Sequence, residues 1–387
     1  MRVLICPQRF GGTLTAVQAA EAIATGWRSR APEDELMVAP ISGGGADFLD
    51  VLSTAADGGI TVGATVKDPL GREVPGVVLV VEEDSGLTAY VEAAQAAGLH
   101  LLSAAERRPG TTTSRGVGEL IEVALAEGAT RVVVAVGDLA TNDGGAGLLN
   151  ALGVGSPEDL CRGGAGLAEI GKDALEGLSA LRERLSGVEL VLATQEELPL
   201  LGLQGTSAAT AGSRGADPQE AQILEHALSR FRHLADTVCP PPTDLLSGTP
   251  RRVDRMPGAG AGGGLGYALL LLGARRRSAA DWCFEAWDFP ALLAHTDVVV
   301  TGEGCLDWRS AGQGVVAEVA ELAGRHGLPV VAVAGTVEVG RRDTMTMGLS
   351  ATYAIAERPA EVVAAMADPA GSLSARVARV AATWSPR

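Results

Sequence analysis

Asp297-Val298-Val299-Val300-Thr301-Gly302-Glu303-Gly304-Cys305-Leu306-Asp307 is the stretch whose reading decides the fold. Val298–Thr301 are four β-branched residues in a row, the pattern of a buried strand. The two glycines are expected to turn the backbone sharply. That leaves the carboxylates of Glu303 and Asp307 just past the strand's carboxyl end, where open α/β sheets hold ligands. Two further glycine-rich runs, 141–147 and 258–266, look suited to the same task. Each run is also compatible with a tight turn and nothing more.

Outward from this strand the chain alternates. Helix 315–325, strand 329–333, a turn at Ala334-Gly335-Thr336, strand 350–355 and terminal helices follow it, and helix 288–295 precedes it. Residues 1–58 read in the same style. Val3–Cys6 is a strand, Thr13 an N-cap for helix 16–27, Leu36–Pro40 a strand, and Ser42-Gly43-Gly44-Gly45 a loop before helix 48–54. Residues 59–279 differ. Ile60–Val66, Val74–Val81 and Leu87–Val91 are strands joined by turns at Pro69-Leu70-Gly71 and Asp84-Ser85-Gly86. Helix 117–126 and strand 131–136 come next, then a helix over 148–152 and a strand over 188–193. Residues 153–182 read as loop with a short strand or helix, 203–217 as loop, 218–238 as a helix with proline in its first turn, and 240–257 as a connector. The expected architecture is α/β: a discontinuous parallel-sheet domain, 1–58 with 280–387, interrupted by a second α/β domain, 59–279.

Composition excludes some functions. The net charge of −16 gives no overall basic field for a polyanion, so nucleic acid and anionic membranes are not expected partners. No apolar run reaches the length of a membrane span. The five cysteines are scattered without CxxC spacing, which predicts a reducing, cytoplasmic setting and no zinc site. Lys67 and Lys172 are the only lysines, so an anion clamp here must rest mainly on arginine or backbone N–H groups.

Taken together, Thr141-Asn142-Asp143-Gly144-Gly145-Ala146-Gly147, the run Gly258 to Gly266, Thr301-Gly302-Glu303-Gly304 with Leu306-Asp307, Val91-Glu92-Ala93-Ala94 and Ala334-Gly335-Thr336 resemble the bacterial glycerate kinase family of the glycerate 2-kinase type, over nearly the whole chain. The resemblance implies a Rossmann-like domain with an inserted α/β domain, ATP and a small anionic hydroxy acid, D-glycerate, as ligands, and Mg²⁺-dependent transfer of the γ-phosphoryl group. It also has gaps. The family's Asp-Ser-Phe-Lys-Gly is Gln8-Arg9-Phe10-Gly11-Gly12 here, and Ala-Asp-Gly-Gly-Glu-Gly is Ser42-Gly43-Gly44-Gly45-Ala46-Asp47. Cys-Asp-Val-x-Asn-Pro-Leu is Thr194-Gln195-Glu196-Glu197-Leu198-Pro199-Leu200, and Asp-x-Gln-Thr…Gly-Lys is Asp307-Trp308-Arg309-Ser310…Gln313-Gly314. The missing lysines, carboxylates and amides are groups that phosphoryl transfer uses.

On that resemblance the expected catalytic residues are Asp307, Glu303, Asp143, Arg309 and Arg9, with Asp307 and Glu303 as holders of Mg²⁺. Substrate and nucleotide fall to Asn142, Gly144, Gly145, Gly260, Gly262, Gly263, Gly264, Thr301 and Gly302. The glycine run at 258–266 would offer N–H groups to phosphate. There is no GxxxxGK[ST], so a Walker-A site is excluded. Plainer roles stand beside these: Glu303 and Asp307 as helix caps, Asp143 as an Asx-turn former, Arg309 as a partner of Asp307, Arg9 as a surface residue. Beside the kinase stand a catalytically impaired homologue that binds nucleotide or a small acid, and a phosphotransferase with another substrate.

Overall fold

The computed structural model describes residues 1–55, 58–84, 86–241, 243 and 248–385. Ser85 of the expected 84–86 turn lies outside them, as do Pro242 and residues 244–247 of the connector. The strands are β1 (Arg2–Ile5), β2 (Glu35–Val38), β3 (Ile60–Lys67), β4 (Glu73–Glu83), β5 (Gly86–Glu92), β6 (Arg131–Ala135), β7 (Glu189–Ala193), β8 (Arg275–Arg277), β9 (Val298–Leu306), β10 (Val330–Val337) and β11 (Ala351–Ala354). They form two sheets, one in each of two compact units. The first unit comprises Met1–Gly43, Asp50–Asp57 and Ala279–Arg387, the second Gly44–Leu49 and Gly58–Ser278.

The sheet of the first unit has the order β11-β10-β9-β1-β2, and every pair is parallel. From β1 the chain moves outward to β2, then returns to the other side of β1 and proceeds through β9, β10 and β11. The order therefore reverses between β1 and β9, where a doubly wound sheet opens a crevice at its carboxyl edge. The register is set by the apolar runs, Val3 opposite Val298 and Ile5 opposite Val300. At the amino edge Arg2 grips Asp297: its backbone N–H donates at 2.8 Å and its guanidinium at 2.7 Å. Those bonds hold the Asp297 carboxyl at a pKa of about 2. Trp27 and Ile23 of helix Ala16–Arg30 and Val377 and Val380 of helix Pro369–Trp384 bury against Val300 and Val331.

The glycines of the opening stretch do not turn the chain. β9 runs on through Gly302, Glu303, Gly304 and Cys305 to Leu306, and β10 likewise passes through Gly335, paired in register from Val299↔Val330 to Leu306↔Val337. The reason is close approach, not bending. A Cβ on Gly302 would strike the Val333 carbonyl, one on Gly335 the Gly304 carbonyl, and one on Gly304 would lie 2.9 Å from the Gly11 nitrogen. Gly304 lets the loop after β1 lie directly on the strand extension, while Gly302 and Gly335 make room for backbone of β10 and β9. The cap of helix Ala16–Arg30 is Thr15, not Thr13; its hydroxyl accepts from the Gln18 N–H while Gln18 reaches back to the Thr15 N–H.

The second unit's sheet has the order β3-β4-β5-β6-β7-β8, antiparallel through β3-β4-β5 and parallel from β5 to β8. Residues 44–49 belong with it: the Leu49 N–H donates to the buried Glu92 at 3.1 Å, and the Phe48 ring lies 6.4 Å from that of Tyr90. Of the alternatives open for 153–182 the structure has short helices, among them Pro157–Leu160 and the start of Leu178–Arg184, while the expected loop at 203–217 contains helix Thr206–Thr210. Gly262, Gly263 and Gly264 all have positive φ, at 59°, 72° and 90°, and interrupt helix Ala261–Leu271 near its start. Gly264 approaches to 2.8 Å of Gly144 when a Cβ is built on it, and a Cβ on Gly263 would collide with the Thr141 carbonyl. Gly263→Ala is therefore expected to cost about 2 kcal/mol or more, from left-handed strain plus a backbone clash, and urea unfolding will measure it.

Candidate functional site

The first unit offers a site at its switch point. Behind β1, the Cys6 N–H donates to the Val300 carbonyl and the Gln8 N–H to the Gly302 carbonyl, both at 2.9 Å, so this loop is laced to β9. Thr301, fully buried, donates its hydroxyl to the Cys6 carbonyl at 2.9 Å. Thr301 and Gly302 thus tie the loop after β1 to β9.

Glu303 follows. It is 7% exposed, and Gln8 Nε2 donates to its Oε2 at 2.6 Å. Its Oε1 is buried with no hydrogen-bond partner. Burial pushes the pKa of this carboxyl up to about 7, against the pull of Ser310 and Gln8, and the charge of Asp307 adds to the rise. A carboxylate that titrates near neutrality, with one oxygen waiting for a partner, is what a proton acceptor requires. Asp307 is half-exposed and does cap: its Oδ1 accepts the N–H groups of Arg309 at 2.8 Å and Ser310 at 3.3 Å. Its Oδ2 has no hydrogen bond among the described residues. The Arg309 guanidinium lies over the exposed Trp308 ring, 5.3 Å from its centre, instead of pairing with Asp307. Arg9 is half-buried in the loop after β1.

Beside Gly304 lies a groove of about 260 Å³, lined by residues that include Gly11, Gly304, Gly335, Thr336, Ile355 and Met366. It spans the loops and strand ends of β1, β9, β10 and β11 together with helix Pro359–Ala367, and of its glycines Gly11 is the one whose missing side chain leaves open space.

The other expected site residues lie in the second unit. Asp143 is fully buried, and its carboxylate accepts four bonds: Ser114 N–H at 2.8 Å, Ser114 Oγ at 2.9 Å, Gly145 N–H at 3.1 Å and Gly147 N–H at 3.2 Å. Burial raises its pKa while those donors oppose the rise. The bond to Gly145 is the Asx-turn, the two to Ser114 bolt the turn to the start of helix Arg115–Ala126, and the one to Gly147 ties it to helix Ala146–Ala151. Asn142 is also fully buried. Its Nδ2 donates to Ser207 Oγ at 3.0 Å and its Oδ1 has no partner. Gly144 and Gly145 have positive φ, and the Gly144 N–H donates to the Gly263 carbonyl at 3.1 Å. Gly260, Gly262, Gly263 and Gly264 are buried against Leu198, Leu139, Thr141 and Gly144 respectively.

The sequence reading missed a charged group at the carboxyl ends of β6 and β7. Arg214 is 3% exposed; its Nε donates to the Leu139 carbonyl at 2.8 Å and its Nη1 to the Thr210 hydroxyl. Burial lowers its pKa, opposed by the charges of Glu196 and Asp138. Burial raises that of Glu196, opposed by Arg214 and the Gly262 N–H, and one Glu196 oxygen is buried without a partner. Asp138 holds φ at 56°, a left-handed conformation uncommon for a residue with a side chain. The signal was a Gly137-Asp138 pair directly after a β-branched strand, and an arginine inside an otherwise small, polar stretch.

Among the described residues no group of three or more His, Cys, Asp or Glu side chains is placed to hold a metal by itself, and no helix is long and apolar enough to cross a membrane.

The chain matches known proteins along its length. The model for the glycerate kinase family covers residues 3–385. A glycerate kinase of Bacillus subtilis is 34% identical over 92% of this chain and 90% of its own. A glycerate 2-kinase of Escherichia coli is 33% identical over 87% and 86%. An uncharacterized protein of Mycobacterium bovis is 37% identical over 99% and 91%. Among solved structures, a putative glycerate kinase 2 from Salmonella typhimurium LT2 superimposes with a TM-score of 0.72 at 30% identity, over 99% of this chain and 98% of that one. On sequence and architecture alike, the chain belongs to the glycerate kinase family.

Proposed function

We propose that this protein transfers the γ-phosphoryl group of ATP to a hydroxyl of glycerate or a closely similar small hydroxy acid. The observation that carries the reading is Glu303: a buried carboxyl with a pKa of about 7 and an unpartnered oxygen, at the switch point of a parallel sheet, beside the groove at Gly304. Glu303 takes the proton of the attacking hydroxyl on Oε1, while Gln8 holds Oε2. At Gly11, where a side chain would meet open space, bare backbone lets a flat or phosphorylated ligand approach closely.

Mg²⁺ fits Asp307, whose Oδ1 is fixed by two backbone N–H groups and whose Oδ2 is without a hydrogen bond among the described residues. A hard cation of this kind is commonly held by one or two carboxylates together with substrate phosphates. When bound, it would draw charge from the phosphate oxygens. Arg9 and Arg309 supply the cations of these loops, since both lysines lie in the second unit and Lys67 is already paired with Glu73 at 3.1 Å.

The lysine loss favours a second reading, a homologue that binds nucleotide or acid with impaired turnover. The two separate in one assay set. Release of ADP from ATP and Mg²⁺ that rises with D-glycerate is expected of the kinase. A melting-temperature rise with nucleotide or D-glycerate, without ADP release, marks the second. No response to either ligand removes both. The five free cysteines suit a reducing compartment, and we place the reaction in the cytoplasm.

A further inference from the structure

A cluster of arginines lies in the second unit, beside β8. That strand reads Arg275-Arg276-Arg277 and forms the open edge of its sheet. Beside it is a pocket of about 450 Å³, within the size range of small-molecule sites. Arg182, Arg251, Arg275 and Arg276 line it, no acidic residue among the described residues does, and Leu270 and Leu271 contribute to an apolar floor. Four arginines around one pocket are unexpected in a chain of net charge −16.

Little answers that charge. Arg276 pairs with Glu197 at 3.1 Å, yet its Nε–H is buried without an acceptor. Among the described residues the Arg182 guanidinium has only the Cys239 sulfur, 3.7 Å away. Arg251 and Arg275 are exposed and have no hydrogen bond or carboxylate partner among the described residues. Guanidinium groups held together without counter-ions repel one another, and an oxyanion that takes two forks at once relieves the repulsion. The floor would take an apolar portion of the same molecule.

We infer that this pocket is a second binding site, for a small organic molecule carrying two or three negative charges as phosphate or clustered carboxylates. It shares no residue with the groove beside Gly304 or with the Glu303 site, so it does not depend on the kinase reading.

The test is titration calorimetry of the full chain with two probes, inorganic pyrophosphate and citrate, at low salt. Binding of either probe is expected, and the stronger one tells phosphate from carboxylate recognition. Arg251→Gln and Arg275→Gln should each weaken that binding about tenfold or more. Both side chains are exposed, so the fold is not at risk. Arg28→Gln, which removes an exposed charge from helix Ala16–Arg30, should leave affinity within about twofold. Absence of binding by both probes overturns the inference. So does equal weakening in all three variants, or none in Arg251→Gln and Arg275→Gln.

Discussion

Glu303→Gln is expected to lower kcat about 10²–10⁴-fold, the contribution of a positioned general base, with little change in the KM for ATP. Activity of the wild-type protein should rise as pH increases through about 7, where Glu303 gives up its proton, and the variant should lose that limb. Stability should move the other way. The folded-state pKa lies above the ordinary carboxylate value, so the folded protein binds the extra proton between about pH 4.5 and 7. The stability that goes with that proton is complete below the lower value and is lost as pH rises through the upper one, roughly 3 kcal/mol from a shift of this size. Glutamine keeps the shape and carries no charge. Above pH 7 the variant should therefore be the more stable protein and the poorer catalyst, a trade found where a site stores strain. Urea unfolding at pH 5 and pH 8, beside a pH–rate profile, checks both halves. Unchanged kcat in the variant would remove Glu303 from the chemistry.

The second large effect belongs to Asp143. Oδ2 accepts from the Ser114 N–H, the Ser114 hydroxyl and the Gly147 N–H, while Oδ1 accepts from the Gly145 N–H. An asparagine in its place would have to point an NH₂ at one of these sets, leaving buried donors unanswered. Asp143→Asn is expected to cost about 3–5 kcal/mol, seen as a fall in the urea midpoint, while folded molecules retain most of their kcat/KM. A normal midpoint with activity lost would instead give Asp143 a place in the reaction.

How far these features could be read in advance depended on where their cause lay. Local patterns were legible. The β-branched run at Val298–Thr301 is a strand, and the helices over 218–238 and 315–325 have the expected bounds. The α/β class followed from alternation, and Glu303 from its place after the β-branched run of β9. Long-range causes were not legible. Whether Gly302 and Gly304 bend a chain or thin it for a neighbour depends on Gly11 and Val333, the first of them far away in sequence. β8 has no apolar alternation to betray it, because an edge strand of three arginines is held only by its ladder to β7. Arg214 looked like part of a loop, since the carbonyl it caps, Leu139, is 75 residues distant.

The threading of the first unit has a consequence for synthesis. Val3 is made 295 residues before its neighbour Val298. At about 5–20 residues per second the wait is roughly 15–60 s. The second unit can complete its sheet during that interval, whereas β1 and β2 remain an apolar pair with an open flank. A growing chain of this protein is therefore most exposed to holdase chaperones, and to aggregation, through its β1–β2 segment. Slowing the ribosome late in the message should lengthen that vulnerability without altering the finished molecule.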